Sequence, residues 1–237
     1  GALAVANAVS LTLALGLARV DRSAERRMVE LRRLLRFGGW LLYAYGVERV
    51  AAFCSLLILA RVVGIEAVGE FEAARIFSQP VMVLAMGLLA ALRPRAMRAA
   101  QQRDERAARH ASKIFVGAVA VVTVGYVVAV GPNWSWSPIV RLFPAAYAEE
   151  GLLAAMIVAT AATTTTLIFR SELVGARREH AFAALSTVMS VLQLVIVGAL
   201  ASALGAMVLP LAIGVKAIAS HIGLRRLLSS VYRPATT

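Results

Sequence analysis

The chain has 237 residues, of which 60% are hydrophobic and only 16% are charged, and its mean hydropathy is +0.76. An average soluble domain is about 45–50% apolar and about 25% charged, so this chain has too few polar residues to cover a water-exposed surface. The net charge of +12 does not indicate nucleic-acid binding, because the basic residues lie in short clusters between apolar runs. The composition excludes a soluble domain and indicates a membrane protein.

Seven apolar runs approach the length of about 20 residues that a helix needs to cross about 30 Å of hydrocarbon. They predict an all-α, polytopic membrane helix bundle of about seven transmembrane helices. The short connection between the last two runs favours a helical hairpin. The predicted spans are 1–18, 37–60, 71–92, 114–131, 151–169, 181–201 and 206–223.

Lysine and arginine are distributed unevenly between alternate connections. The segments 19–36, 93–113 and 170–180, together with the C-terminal tail, hold twenty of them. The other connections hold only Arg61 and Arg141. Basic loops stay on the cytoplasmic side of a membrane. We therefore expect a cytoplasmic C-terminus and a location in the inner, cytoplasmic membrane.

Residues that commonly carry catalysis or bind metals are sparse and scattered. The three histidines, His110, His180 and His221, do not have metal-binding spacing, and Cys54 is the single cysteine. Glycine-rich phosphate-binding loops are missing as well. The sequence therefore predicts no metal site, no cofactor and no enzymatic activity.

The informative residues are the charged side chains inside the predicted spans. Glu48 and Arg49 lie 11 and 12 residues after Phe37, which places them about 17 Å from the end of the span, at the bilayer midplane. A charge at that depth costs from about 2.5 to more than 10 kcal/mol, so the pair must face the bundle interior or a watery cavity. Two interpretations stay open. Glu48 pairs with a cation on another helix, or the two residues line a cavity that binds an anionic substrate.

Two further cations complete a candidate substrate-binding set. Arg75 lies three residues after Glu72, so it either adds to a positively charged cavity or neutralises Glu72 on the same helix. Lys216 lies seven residues from the end of the last predicted span, where snorkelling to the membrane surface is the more common explanation. The hydroxyl residues 163–166 and the polar residues of the sixth span are interpreted mainly as packing residues. The candidate set is Glu48, Arg49, Arg75 and Lys216.

Several segments occur in an order that is typical of one group of transporters. They are LRFGGWLLYAYG (35–46), LLILARVVGIEAVGEFEAARIFSQP (56–80), LLAALRPRAMRAA (88–100), IVRLFPAAYAEE (139–150) and LVGARR (173–178). The second segment contains a glycine and aromatic pattern between Gly64 and Ala73. In these features the chain resembles the oligosaccharide flippases of the MOP superfamily, the Wzx-type polysaccharide exporters that are related to lipid II flippases and MATE exporters.

The resemblance implies a domain organisation. Residues 37–223 would form a six-helix C-terminal lobe, 1–18 the last helix of an N-terminal lobe, 19–36 the basic cytoplasmic linker between the lobes, and 224–237 a cytoplasmic tail. The apolar residues among the arginines of 19–36 also fit an amphipathic helix on an anionic leaflet. Family members enclose one cavity between two lobes. We therefore expect this chain to be part of a longer protein and to need the missing N-terminal lobe for transport.

The resemblance also implies a function. An undecaprenyl-type lipid-linked oligosaccharide would cross the cytoplasmic membrane by alternating access, for cell-surface polysaccharide biosynthesis. Arg49 and Arg75 would hold its pyrophosphate, and glycosyltransferases or a polymerase would be further partners. The alternative is a cation-coupled MATE-type exporter of small molecules, with Glu48 as the proton or sodium site. A third possibility is a scaffolding protein whose buried charges only specify packing.

Overall fold

The computed structural model describes residues 24–130 and 150–232, and within them the side chains of 35, 37–130 and 151–232. The chain divides into two compact units, Gly1–Leu41 and Leu42–Thr237. The predicted span 1–18, the first residues of the basic linker and the last five residues of the tail lie outside the described residues.

The described chain consists of helices joined by short turns, which confirms the all-α prediction for this part of the protein. Between the last two helices lies a short 3-10 turn, Gly205–Met207. The helices are α1 (Ala24–Val62), α2 (Ile65–Gln102), α3 (Glu105–Val130), α4 (Glu150–Gly175), α5 (Glu179–Leu204) and α6 (Val208–Tyr232).

Five segments of the described chain are long and apolar enough to cross a membrane. The last of them contains both α5 and α6. The chain is therefore a helical, multi-pass membrane protein, whereas the count of seven spans stays a prediction. The five segments are Phe37–Val62, Ile65–Gln102, Glu105–Val130, Gly151–Gly175 and Glu179–Tyr232.

Each predicted span from 37–60 onward corresponds to one helix, but every helix extends beyond its predicted span at one end or both. Most of the predicted basic connection 93–113 is helical, and the turn between α2 and α3 consists only of residues 103 and 104. Arg103 adopts a left-handed φ of 56°, and Asp104 accepts a hydrogen bond of 3.0 Å from the backbone N–H of Ala107 at the start of α3. Hydropathy detects only the part of a helix that lies in hydrocarbon, which is why it predicts these basic helix ends as loops.

The central helix of the second unit is α4. It packs along α2 and α6 and also contacts α3 and α5. In its most apolar stretch 56% of the residues are buried, against 17% in α1. Close approach to α2 depends on Gly175, because a Cβ atom at this position would lie 2.8 Å from the backbone of Met97. Small residues that let backbones approach are the usual basis of helix packing in membranes.

Hydroxyl groups add specific contacts to this packing. Thr160 on α4 donates to Ser78 on α2 at 3.0 Å. Tyr126 on α3 donates to the carbonyl oxygen of Phe77 at 2.7 Å, three residues before Pro80 interrupts the backbone hydrogen bonds of α2. The four threonines 163–166 each donate to a carbonyl oxygen of α4 itself.

One end of the second unit is strongly basic. The C-terminal ends of α2, α4 and α6 meet there, as the contacts of Gly175 with Met97 and of Tyr232 with Glu172 indicate. At the opposite end the turn between α1 and α2 approaches the turn between α5 and α6, where Val63 lies near Gly205. We call the first end the basic end. Its cations are Arg93, Arg95, Arg98, Arg103, Arg106, Arg109, Lys113, Arg177, Arg178, Arg225 and Arg226.

Candidate functional site

The candidate site is centred on an ion pair between α1 and α4. Nη2 of Arg170 lies 2.9 Å from Oε1 of Glu48, and Nη1 donates to Oε2 at 3.0 Å. Ser186 on α5 donates to Oε1 of Glu48 at 3.2 Å. The side chains of Arg170 and Glu48 are only 12% and 18% exposed. This two-point geometry is the one in which a planar guanidinium group binds a carboxylate most strongly.

The sequence places Arg170 in a basic connection, and the structure corrects this prediction. Because α4 continues to Gly175, Arg170 lies inside the helix, about 7.5 Å from its end. Its guanidinium group also lies over the ring of Phe182, 5.3 Å from the centroid. Its Nε atom is buried and has no hydrogen-bond partner in the described part of the chain. Arg170 therefore retains one unused donor inside the bundle.

Lys216 belongs to the same region. Its Nζ atom donates to Oε1 of Gln193 at 3.0 Å, and Nε2 of Gln193 donates to Oγ of Ser55 at 3.1 Å. Snorkelling to the basic end does not explain this lysine, because α6 continues for 16 residues beyond it to Tyr232. In the described part of the chain, no carboxylate lies within ion-pair distance of the Lys216 ammonium group.

These side chains form a polar seam along the interior faces of four helices. The two α1 members are seven residues apart, as are the two α5 members, so each pair lies on one helix face. Between the α5 members lies Ser190, whose buried hydroxyl has no hydrogen-bond partner among the described residues. The seam contains two cations and a single carboxylate. It consists of Glu48 and Ser55 on α1, Arg170 on α4, Ser186 and Gln193 on α5, and Lys216 on α6.

The other two sequence-predicted site residues lie outside the polar seam. Arg49 is exposed and forms no ion pair within the described residues. It lies on the outer face of α1 near the exposed side chains of Tyr45 and Phe53. Arg75 is paired with Glu72 on its own helix at 2.6 Å and is 46% exposed. The structure thus places Glu48 and Lys216 in the same polar seam, without direct contact, and leaves Arg49 and Arg75 outside it.

A second buried carboxylate was not among the sequence-predicted candidates. Glu172 on α4 is 3% exposed, accepts a hydrogen bond from the hydroxyl of Ser112 on α3, and accepts another from Tyr232 on α6 at 3.4 Å. Each donor is 60 residues from Glu172 in sequence, so no local spacing relates them. Across the described residues, no group of three or more His, Cys, Asp or Glu side chains converges as a metal site would require.

The chain was compared with known protein families, curated proteins and solved structures. No family model, curated protein or solved structure matches the chain. Membership of the MOP superfamily therefore stays a prediction from the segments quoted above.

Proposed function

We propose that this protein is one lobe of an alternating-access membrane transporter for an anionic lipid-linked substrate, and specifically a flippase for lipid-linked oligosaccharide. The observation that supports this proposal is the excess positive charge of the polar seam. Glu48 is paired with Arg170, whereas Lys216 binds Gln193 and has no carboxylate within ion-pair distance among the described residues. A purely structural pair would have one cation for one carboxylate, because an uncompensated charge is costly in hydrocarbon. An anionic headgroup would supply the missing negative charge.

Arg49 supports the same proposal from the outer face of α1. It lies near the middle of the segment Phe37–Val62 and is exposed there. Contact with lipid tails at this depth would cost at least about 2.5 kcal/mol. We therefore propose that this face of α1 lines a water-filled cavity, closed on its far side by an N-terminal lobe. Arginine is well suited to the phosphate oxygens of a pyrophosphate-linked substrate.

The charge asymmetry of the bundle supplies the orientation in this proposal. The basic end would face the cytoplasm of the inner membrane, in accordance with the positive-inside rule. The substrate would then enter from the side on which glycosyltransferases assemble lipid-linked sugars. A polymerase would act on the product at the opposite side.

A cation-coupled exporter is the alternative from the sequence, and the geometry of Glu48 favours it less. Oε2 of Glu48 already accepts a hydrogen bond from Arg170, and Oε1 lies 2.9 Å from Nη2 of Arg170 and accepts a hydrogen bond from Ser186. A proton or a sodium ion would have to displace this guanidinium group before it could bind. Drug-susceptibility measurements on cells that lack the protein would distinguish the exporter from the flippase.

The test is a flipping assay with the complete protein in proteoliposomes that contain a fluorescent lipid-linked oligosaccharide. We expect Arg49→Ala to lower the initial rate about tenfold, the effect of losing one charge-assisted contact. Arg61→Ala is the matched control, because Arg61 is an exposed arginine at the end of the same helix, and we expect it to retain the wild-type rate. Size-exclusion chromatography establishes that each variant is folded.

Two outcomes contradict the proposal. If the folded Arg49→Ala protein flips the substrate at the wild-type rate, Arg49 has no role in substrate binding. A wild-type protein without flipping activity, in which Glu48→Gln and Arg49→Ala change only the yield of folded protein, would instead indicate a scaffolding role.

A further inference from the structure

A cavity that is separate from the polar seam opens at the basic end between α3, α4 and α6. Its volume is about 570 Å³, within the range of small-molecule binding pockets. Charged residues of both signs line it together with aromatic and aliphatic side chains. We call it the basic-end pocket.

The buried carboxylate of the basic-end pocket is Glu172, whereas the other carboxylate in its lining, Glu105, is partly exposed and paired with Arg109. Hydroxyl groups of Ser112 and Tyr232 bind Glu172, but in the described structure no cation lies within ion-pair distance. A carboxylate can accept about four hydrogen bonds, so two donors leave part of its capacity free. A buried carboxyl group with unused acceptor capacity favours a further hydrogen-bond donor.

The positive groups of the basic-end pocket are Lys113 on α3 and Arg225 on α6. Neither forms an ion pair with a carboxylate among the described residues, whereas Arg109 is paired with Glu105 at 2.6 Å. Arg225 is held over the ring of Phe169, with its guanidinium carbon 5.6 Å from the centroid. The pocket therefore keeps two available cations separate from one buried carboxylate.

The position of the basic-end pocket favours a membrane lipid as its ligand. It lies near the ends of the spans, at the level where lipid headgroups meet the protein. Moving from the basic end into the bilayer, Lys113 is followed by Ile114 on α3, and Arg225 by Ile222 on α6. These isoleucines are 43% and 50% exposed, as expected for side chains that contact acyl chains.

We infer that the basic-end pocket binds the headgroup of phosphatidylethanolamine, with the phosphate between Lys113 and Arg225 and the ammonium group donating to Glu172. The headgroup carries one negative and one positive group in sequence, which matches the separated charges of the pocket. Phosphatidylcholine has the same phosphate, but its quaternary ammonium group has no N–H to donate. The selectivity between these two lipids therefore depends on Glu172.

The test is native mass spectrometry of the chain in detergent micelles with equal amounts of dioleoyl-phosphatidylethanolamine and dioleoyl-phosphatidylcholine. For the wild-type chain we expect about tenfold more bound phosphatidylethanolamine, the effect of hydrogen bonds to a charged acceptor. Glu172→Gln should bring the ratio close to one, because the amide is a weaker acceptor. Equal binding of the two lipids by the wild-type chain would overturn the inference.

Substitutions of the cations test the phosphate contact independently, even if Glu172→Gln does not fold. Lys113→Gln and Arg225→Gln should each lower the binding of both lipids about fivefold. Arg95→Gln is the matched control, an exposed arginine of the basic end that does not line the pocket. Unchanged binding in the Lys113 and Arg225 variants, or an equal loss in the control, would contradict the proposed site.

A third measurement distinguishes a lipid from a soluble phosphoester. We expect glycerophosphoethanolamine, which has the same headgroup without acyl chains, to displace bound phosphatidylethanolamine only weakly. If it competes as well as the lipid does, the pocket recognises a free phosphoester, and the inference of a lipid site is wrong.

Discussion

The helices α4 and α1 belong to the same protein but are held by different interactions. α4 approaches α2 so closely that a Cβ atom at Gly175 would touch the backbone of Met97. The α1 backbone, in contrast, approaches other described helices only at isolated positions. Ala44, Ala51 and Leu59 of α1 are buried, and its polar contacts with other helices run chiefly through the side chains of Glu48, Ser55 and Tyr43. Close packing therefore extends along α4, whereas α1 combines a narrower buried face with a few polar contacts.

This difference shows how stability can be distributed inside a membrane. Apolar side chains gain little from leaving lipid for another helix, so close packing relies on dispersion over many small contacts. Because these contacts are spread along the whole helix, no single ligand can displace them. Most polar contacts of α1 lie in the polar seam, so a ligand that competes for Arg170 or Lys216 would act directly on them. We expect α1 to be the helix that moves most when a substrate binds.

The largest effect should come from breaking the charged part of the polar seam. Arg170→Ala leaves Glu48 without its cation, and removing one partner of a buried ion pair costs about 3–5 kcal/mol. The measurement is the free energy of unfolding by titration with SDS in mixed micelles. Arg177→Ala is the control, since Arg177 is exposed in the turn after α4. A loss below about 1 kcal/mol would show that the pair contributes little to holding α1.

A smaller but clear effect should come from the tightly packed helix. Gly175→Ala forces α4 away from α2, and overpacking of this kind costs about 1–3 kcal/mol. Gly198→Ala is the control, because a Cβ atom there meets no other atom within 4 Å. The same SDS titration applies. If the two alanine variants unfold alike, the contact between Gly175 and Met97 does not limit the packing of α4.

The smallest effect should come from the neutral part of the polar seam. Ser55→Ala removes the acceptor of the Gln193 amide, and single hydrogen bonds between membrane helices average about 0.6 kcal/mol. Ser230→Ala controls for the loss of a hydroxyl, because Ser230 donates only to Leu227 of its own helix. A cost for Ser55→Ala as large as that of Arg170→Ala would mean that hydrogen bonds, and not charges, attach α1.

The sequence alone predicted the all-α class and the six helices of the described residues. Each of these helices contains an apolar stretch, as a helix that crosses lipid must. The sequence also indicated that Glu48 needs a partner, since a lone charge at that depth is too costly. It did not identify that partner. Arg170 follows the apolar run of α4 directly, so hydropathy assigns it to a connection, although the helix continues for five more residues.

The basic-end pocket was beyond sequence reasoning for another reason. Glu172, Ser112 and Tyr232 are far apart in the chain, and only the packing of three helices brings them together. The one local signal is Glu172 itself, a carboxylate two residues after an arginine at the end of an apolar run. Lys216 shows a related limit of sequence reasoning. The sequence predicts that its span ends at residue 223, nine residues too early, so the buried lysine is predicted to snorkel to the membrane surface.

The turn between α5 and α6 has a consequence for how the protein enters its membrane. Gly205–Met207 is only three residues long, and neither it nor the adjoining helix ends contain an ionisable side chain. Carrying this turn across the bilayer therefore requires no dehydration of a charge. The two helices are also already in contact, with Leu185 against Gly223. We expect α5 and α6 to insert together as a preformed hairpin, so that the last two crossings are a single event during biosynthesis.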